Sequence, residues 1–207
     1  MKILNLYAGI GGNRKLWGDK HEITAIEFEP KIANIYQDFF PKDKVIVTDA
    51  HQYLLDHFEE FDFIWSSPPC PSHSKVRKVG TYSKGGKMIY RPLFPDMKLY
   101  EEILFLKHFF KGKWCVENVI SYYDPLITPQ KSASHYFWTN FLIPSMETGS
   151  RDHHSGIEKL QTRKDFDLSK YEAIDKVKIL RNCVEPEVGK QILDFAINEV
   201  KLQGNLF

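Results

Sequence analysis

The chain has 207 residues, a size that suits one domain with a real core. Its 43% apolar and 14% aromatic content excludes a disordered polymer, and no stretch approaches the ~20 apolar residues that span a bilayer. Net charge is +1 but unevenly spread: Lys75, Arg77, Lys78, Lys84, Lys87 and Arg91 share a window without an acidic residue, and the rest of the chain carries 22 basic against 27 acidic residues.

In chain order, Lys2–Tyr7 reads as a short buried strand, followed by Ala8-Gly9-Ile10-Gly11-Gly12 and a helix-like run, Asn13–Gly18. A second strand is expected over Glu22–Glu27, and a helix over Pro30–Phe40 opened by proline in its first turn. Val45–Val47 is a third strand, Ala50–Phe58 a helix, and Phe61–Trp65 a fourth strand running into Ser66-Ser67-Pro68-Pro69-Cys70. Residues 71–95 show no period and read as a long loop of the kind that is usually functional or disordered. A helix with an aspartate cap is expected over Asp96–Phe110, a fifth strand over Lys113–Val119 and a sixth over Tyr136–Ile143. Residues 145–175 are polar and read as irregular, and Pro186–Leu202 as an amphipathic helix. Strands alternating with helices predict a mainly parallel sheet with helices on both faces, with ligands held at the strands' carboxyl ends.

Chemistry-bearing residues fall at those ends. Gly9, Gly11 and Gly12 let the backbone approach a ligand. Glu27 ends the second strand, where an acid can accept ribose hydroxyls, and Asp49 follows the third, where it could accept from an adenine amino group. No lysine follows the glycines in P-loop fashion, which disfavours a triphosphate. Pro68 and Pro69 stiffen the backbone that carries Cys70. That thiol opens a basic loop, whose cations are expected to lower its pKa. Glu117-Asn118 lies at an apolar strand end, where an unpaired carboxylate would be costly.

The three cysteines, Cys70, Cys115 and Cys183, form no CxxC pair, so neither a disulfide framework nor a four-cysteine zinc site is expected. Asp152-His153-His154 is a poor metal site because adjacent histidines point apart in most backbones, and no metal is expected. Free thiols and an N-terminus quickly broken by glycines lead us to expect a cytoplasmic protein.

The set LNLYAGIGG, IEFEP, TDA, SSPPCPSHS and CVENVI resembles, in order and spacing, the DNA cytosine-5 methyltransferases. Residues 180–190, LRNCVEPEVGK, are similar to that family's last motif. The resemblance covers roughly residues 1–140 and 178–202. It implies a Rossmann-like α/β fold with S-adenosyl-L-methionine as cofactor. Tyr7, Ala8, Gly9, Gly11, Gly12, Glu27, Asp49, Pro69 and Asn182 would hold the cofactor. Cys70 would be the nucleophile that adds to cytosine carbon 6, Glu117 the group that gives a proton or hydrogen bond to N3, and Asn118 the residue that steadies Glu117 or the proline loop. The partner would be duplex DNA with a flipped cytosine. Ser74, Lys75, Arg77, Lys78, Lys84, Lys87, Arg91 and His135 would contact the nucleic acid.

The pattern departs from the family in three places. Pro71-Ser72-His73-Ser74 replaces the usual Gln and aromatic after the nucleophile, and His135 stands where arginine is expected. Only residues 142–180 are left for target recognition, too few for an independent core. The chain is therefore expected to be one catalytic domain, 1–207, with a reduced insert, and either to have little sequence discrimination of its own or to borrow it from a partner subunit or a second copy. A compact enzyme of this kind would suit a phage or mobile element. The competing readings are an RNA cytosine-5 methyltransferase and a non-catalytic nucleic-acid-binding paralogue. Amino-group methylation ranks lower, because the enzymes with a similar Ser-Pro-Pro core place an aromatic where Cys70 stands.

Overall fold

A computed structural model of the chain describes residues 1–75, 94–143, 145, 146 and 156–204, with side chains up to residue 198. Its centre is a seven-stranded sheet: β1 (Lys2–Leu6), β2 (Glu22–Glu27), β3 (Lys44–Val47), β4 (Phe63–Ser66), β5 (Lys113–Val119), β6 (Gln130–Ser132) and β7 (His135–Thr139). Spatial order is β3-β2-β1-β4-β5-β7-β6. The first five strands are parallel, and β7 runs antiparallel to both β5 and β6. The predicted α/β architecture is present.

Strand β1 shows why the sheet forms. Ile3, Leu4 and Leu6 are fully buried on alternate faces, as a central parallel strand requires. On one face, Leu4, Leu6 and Ile64 pack under α2 (Ala50–His57) and α3 (Lys98–Phe109). On the other, Ile3, Phe63 and Trp65 pack under α6 (Pro186–Gly204), through Val188, Ile192 and Ala196. Helix α1 (Pro30–Phe39) starts on its proline and packs beside Ala25.

Four expectations change. Asn13–Gly18 is a run of turns closed by Lys15 N→Gly12 O and Trp17 N→Arg14 O bonds, not a helix. Its residues serve tertiary contacts instead: the Asn13 amide pairs with buried Asn5, and Arg14 reaches Asp43. The sixth expected strand ends at Thr139 rather than Ile143, and a short partner, β6, precedes it across a hairpin that puts Ala133 and Ser134 at positive φ. Helix α3 begins at Lys98, two residues late, with Asp96 accepting from the Lys98 amide. The stretch expected to be irregular contains α4 (Ile157–Lys164), and α5 (Lys176–Asn182) follows it. Leu160, Phe166, Leu168 and Leu180 are buried against Tyr36 and Phe40 of the α1 region. This segment therefore belongs to the main core and walls one side of the strand ends.

Among the described residues, no helix is long and apolar enough to cross a membrane.

Candidate active site

At the carboxyl ends of β1, β2, β4 and β5 lie two adjoining cavities of about 550 Å³ each. They share Tyr7, Gly9, Glu27, Ser67, Lys178 and Asn182, so they are two ends of one cleft.

The first cavity is built on the turn after β1. A Cβ placed on Gly9 would meet nothing within 4 Å, and the Gly9 amide donates to Glu27 Oε2 at 2.9 Å. The other Glu27 oxygen accepts from the Glu29 amide, so the carboxylate is aimed by two backbone groups. Gly12 is required for close approach: a Cβ there would sit 2.6 Å from the Val184 carbonyl. That contact joins the glycine turn to the segment just after α5, and Asn182 at the end of α5 and Val184 beyond it line the same cavity. Ile32, Ile174 and Ile179 supply its apolar lining.

Three expected cofactor residues stand outside the first cavity. Gly11 lines neither cavity; it has φ +86°, and a Cβ would overlap Phe40 and Tyr36, so its role is to let the turn pack on α1. Asp49 lines neither cavity and caps α2, accepting from the Gln52 amide at 2.9 Å. Pro69 lines the second cavity rather than the first. Tyr7, Ala8, Gly9, Gly12, Glu27 and Asn182 line the first cavity together.

Tyr7 is fixed from behind. At φ 54°, it turns its hydroxyl to donate to Glu102 Oε1 at 2.6 Å. Glu102 is fully buried and also receives Ser66 Oγ at 2.5 Å and sits 3.1 Å from His51 Nδ1. Burial and the neighbouring Glu102 push the Tyr7 phenol well above its ordinary range. The hydrogen bond to Glu102 raises the His51 pKa. Sequence reasoning missed Glu102, although the signal was there: it falls on the apolar stripe Leu99–Ile103–Leu106 of α3, where an acid needs partners.

The second cavity is lined by Pro68, Pro69, Cys70, Glu117, Asn118 and His135, facing Arg163, Lys164 and Arg181 from α4 and α5. Asn118 Nδ2 donates to the Pro68 carbonyl at 3.0 Å, tying β5 to the proline turn. The Cys70 carbonyl accepts from the amides of His73 and Ser74, so the thiol sits on a closed turn. Lys164 is buried and bonds the Cys183 carbonyl at 2.6 Å and Glu185 at 2.8 Å. Its burial lowers its pKa. Neither these cations nor Lys178 were foreseen, because their contribution depends on how α4 and α5 fold back over the strand ends.

The expectation that cations would lower the Cys70 pKa is reversed. Burial, then the nearby Glu117 charge, raise it. Of the basic window, only Lys75 lies among the described residues, where it is exposed, and Ser74 bridges to Ser121. Arg77, Lys78, Lys84, Lys87 and Arg91 lie outside the described residues, as do Asp152, His153 and His154. In the free protein the alkylation rate of Cys70 should therefore still be rising at pH 9, beyond the ordinary thiol value of about 8.5. Glu117→Gln should shift that profile toward lower pH by removing the nearby charge. An alkylation profile that levels off below pH 8, or one indifferent to Glu117→Gln, would contradict this electrostatic picture.

His135 lines this second cavity, with Nε2 3.4 Å from Glu117 Oε1.

The donor set of the first cavity fits a nucleoside joined to an amino acid: a carboxylate for ribose hydroxyls, apolar walls for a base, and the Gly9 backbone with Asn182 for the polar end. Comparison with known proteins agrees. Residues 1–98 match the model of the C-5 cytosine-specific DNA methylases. A type II methyltransferase, M.Bsp6I of Bacillus sp. (strain RFL6), is 27% identical over 113 residues, covering 52% of this chain and 36% of that protein. The chain thus spans about a third of the curated relative that it matches. Among solved structures, the methyltransferase EhMeth of Entamoeba histolytica shares the fold at a TM-score of 0.63 and 9% identity, covering 97% of this chain and 98% of that one. A DNMT2 mutant of Spodoptera frugiperda is 25% identical over 57% of this chain and 35% of its own, at a TM-score of 0.39. Through its first 98 residues the chain is similar to the C-5 cytosine-specific DNA methylases, a similarity that implies S-adenosylmethionine as cofactor.

Proposed function

We propose that the chain methylates carbon 5 of a cytosine flipped out of duplex DNA, through a covalent adduct at Cys70. The observation that carries this reading is that Cys70 and Glu117 line one cavity continuous with the cofactor cavity.

Carbon 5 of cytosine is a weak nucleophile. The Cys70 thiol loses its proton to water in the open cavity, and its sulfur adds to carbon 6 while Glu117 passes a proton to N3. The resulting enamine is electron-rich at carbon 5. S-adenosylmethionine, when bound, supplies the electrophilic methyl group. Loss of the carbon-5 proton to water and departure of the Cys70 sulfur restore the aromatic ring, with the N3 proton returned to Glu117. Covalent addition divides one hard step into easier ones. A duplex hides both ring atoms, so the base has to leave the stack first.

Three parts of the reading concern partners. The window from Lys75 to Arg91 would contact phosphates. The insert 142–180 would replace a separate target-recognition domain, leaving 1–207 a single catalytic domain. Sequence discrimination would then be slight, or would come from a partner subunit or a second copy.

The test is methyl transfer from labelled cofactor to duplex DNA and to RNA of matching sequence, with the product base mapped. 5-Methylcytosine in DNA is the expected product. Transfer to RNA alone would replace the substrate, and cofactor binding without transfer to either would leave a binding protein.

A further inference from the structure

Methyl transfer needs the two halves of the cleft to meet. One half is the cofactor turn after β1, and the other is the proline turn after β4 that carries Cys70. Each is held within itself. The cofactor turn hangs on β2, through the Ala8 amide donating to the Ile26 carbonyl at 2.9 Å and the Gly9 amide donating to Glu27. The proline turn hangs on β5, through Asn118 donating to the Pro68 carbonyl, and on the amide bonds to the Cys70 carbonyl. The ladder that joins β1 to β4 stops short of both turns. Its last register pair is Leu6 with Ser66. The next bond, from the Ser67 amide to the Leu6 carbonyl, is stretched to 3.4 Å. At Tyr7 the chain leaves the ladder with φ 54°, a conformation that a residue with a side chain keeps only when its surroundings enforce it.

Glu102 bridges the gap. It lies on α3, fully buried, and lines neither cavity. One of its carboxyl oxygens accepts from the Tyr7 hydroxyl at 2.6 Å, and the other accepts from the Ser66 hydroxyl at 2.5 Å. His51 of α2 closes on the first oxygen at 3.1 Å. Tyr7 and Ser67 both line the boundary that the two cavities share, which the methyl group has to cross.

We propose that Glu102 is a positioning residue for methyl transfer: by holding Tyr7 and Ser66 on its two oxygens, it sets the distance between the cofactor turn and the Cys70 turn. The proposal rests on the methyl-transfer reading above. Reacting atoms have to come within about 3–3.5 Å, and a misplacement of about 1 Å costs on the order of 100-fold in rate. Loss of the bridge should therefore leave each half able to do its own part and slow the one step that needs both.

Three measurements separate those parts. Affinity for S-adenosylmethionine reports the β1 half. Reaction at Cys70 without cofactor reports the β4 half. In heavy water the sulfur adds to carbon 6 and carbon 5 takes a deuteron. The original carbon-5 proton then leaves to solvent and the sulfur departs, so the product is deuterated cytosine. Single-turnover methyl transfer to the same duplex DNA needs both halves.

Tyr7→Phe keeps the ring and removes only the hydroxyl. Its cofactor affinity and deuterium exchange should stay within about threefold of wild type, while methyl transfer slows by about tenfold or more. Glu102→Leu should slow transfer by about 100-fold, and adding Tyr7→Phe to it should cost less than about twofold more, because the bridge is already lost. Losses by the same factor in all three measurements would make Glu102 merely structural and overturn the proposal. Unchanged methyl transfer in Tyr7→Phe would also overturn it. If Glu102→Leu does not fold, Tyr7→Phe decides alone. A wild-type protein that neither exchanges the carbon-5 proton nor transfers methyl groups to DNA or RNA would overturn the methyl-transfer reading itself, and this proposal with it.

Discussion

Replacing Cys70 by serine is expected to leave a folded, cofactor-binding protein whose methyl transfer falls by about 10⁴-fold or more. The fold should survive because the turn is held by its backbone. The Cys70 carbonyl accepts two amide bonds, and Asn118 ties the adjacent proline turn to β5. Cys70 is only half-buried, so a hydroxyl there has room and water. The chemistry should not survive, since a hydroxyl ionises far less readily than a thiol and is a poorer nucleophile. A duplex carrying 5-fluorocytosine separates adduct formation from turnover. Fluorine cannot leave as the carbon-5 proton does, so the wild type should accumulate a covalent complex and Cys70→Ser none. Wild-type turnover by Cys70→Ser would remove the sulfur from the mechanism.

The second large effect concerns stability. Arg14 lies on the turn run behind the glycine loop, with its side chain 3% exposed. Its Nε and Nη2 meet both oxygens of Asp43 at 2.8 and 3.0 Å, and Tyr36 donates to the same carboxylate at 2.9 Å. The guanidinium also lies 4.9 Å from the Phe40 ring centre. Arg14→Met keeps much of the hydrocarbon but strands a buried carboxylate, which should cost about 3–5 kcal/mol. Against a total stability of about 5–15 kcal/mol this is severe, and it should lower the Tm by about 6–20 °C. The double variant Arg14→Met, Asp43→Leu should recover part of the loss, because no unpaired charge remains. Thermal unfolding within about 1 kcal/mol of wild type for the single variant would show that water reaches the carboxylate.

Why some of this was legible in the sequence and some was not can be argued residue by residue. β2, β5 and the start of α1 stand where the pattern predicts, because continuous apolar runs and a first-turn proline are local signals. The strand-end residues Glu27, Cys70 and Glu117 converge because a parallel sheet puts its carboxyl ends on one edge. What escaped depends on tertiary contacts. β6 is Gln130-Lys131-Ser132, a polar edge with no apolar alternation to reveal it. α4 buries Leu160 and Lys164 from a mostly polar stretch, so its two apolar positions, Ile157 and Leu160, made too short a stripe to read. The direction of the Cys70 pKa was misjudged because, among the described residues, it is set by enclosure and by Glu117, neither of which is visible in the local sequence.

The contact of Gly12 with Val184 has a further consequence. Next to it, a Cβ on Gly189 would fall 2.3 Å from the Asn13 carbonyl, so the start of α6 also rests directly on the turn after β1. The first and last thirds of the chain thus close a single binding surface, a junction of very high sequence separation. Such junctions form late in folding, after the costly loop between them has been closed. On the ribosome, a nascent chain that has emerged only as far as β7 would hold most of the sheet and the reactive sulfur without a complete place for the methyl donor. The thiol is thus made well before the machinery that can use it.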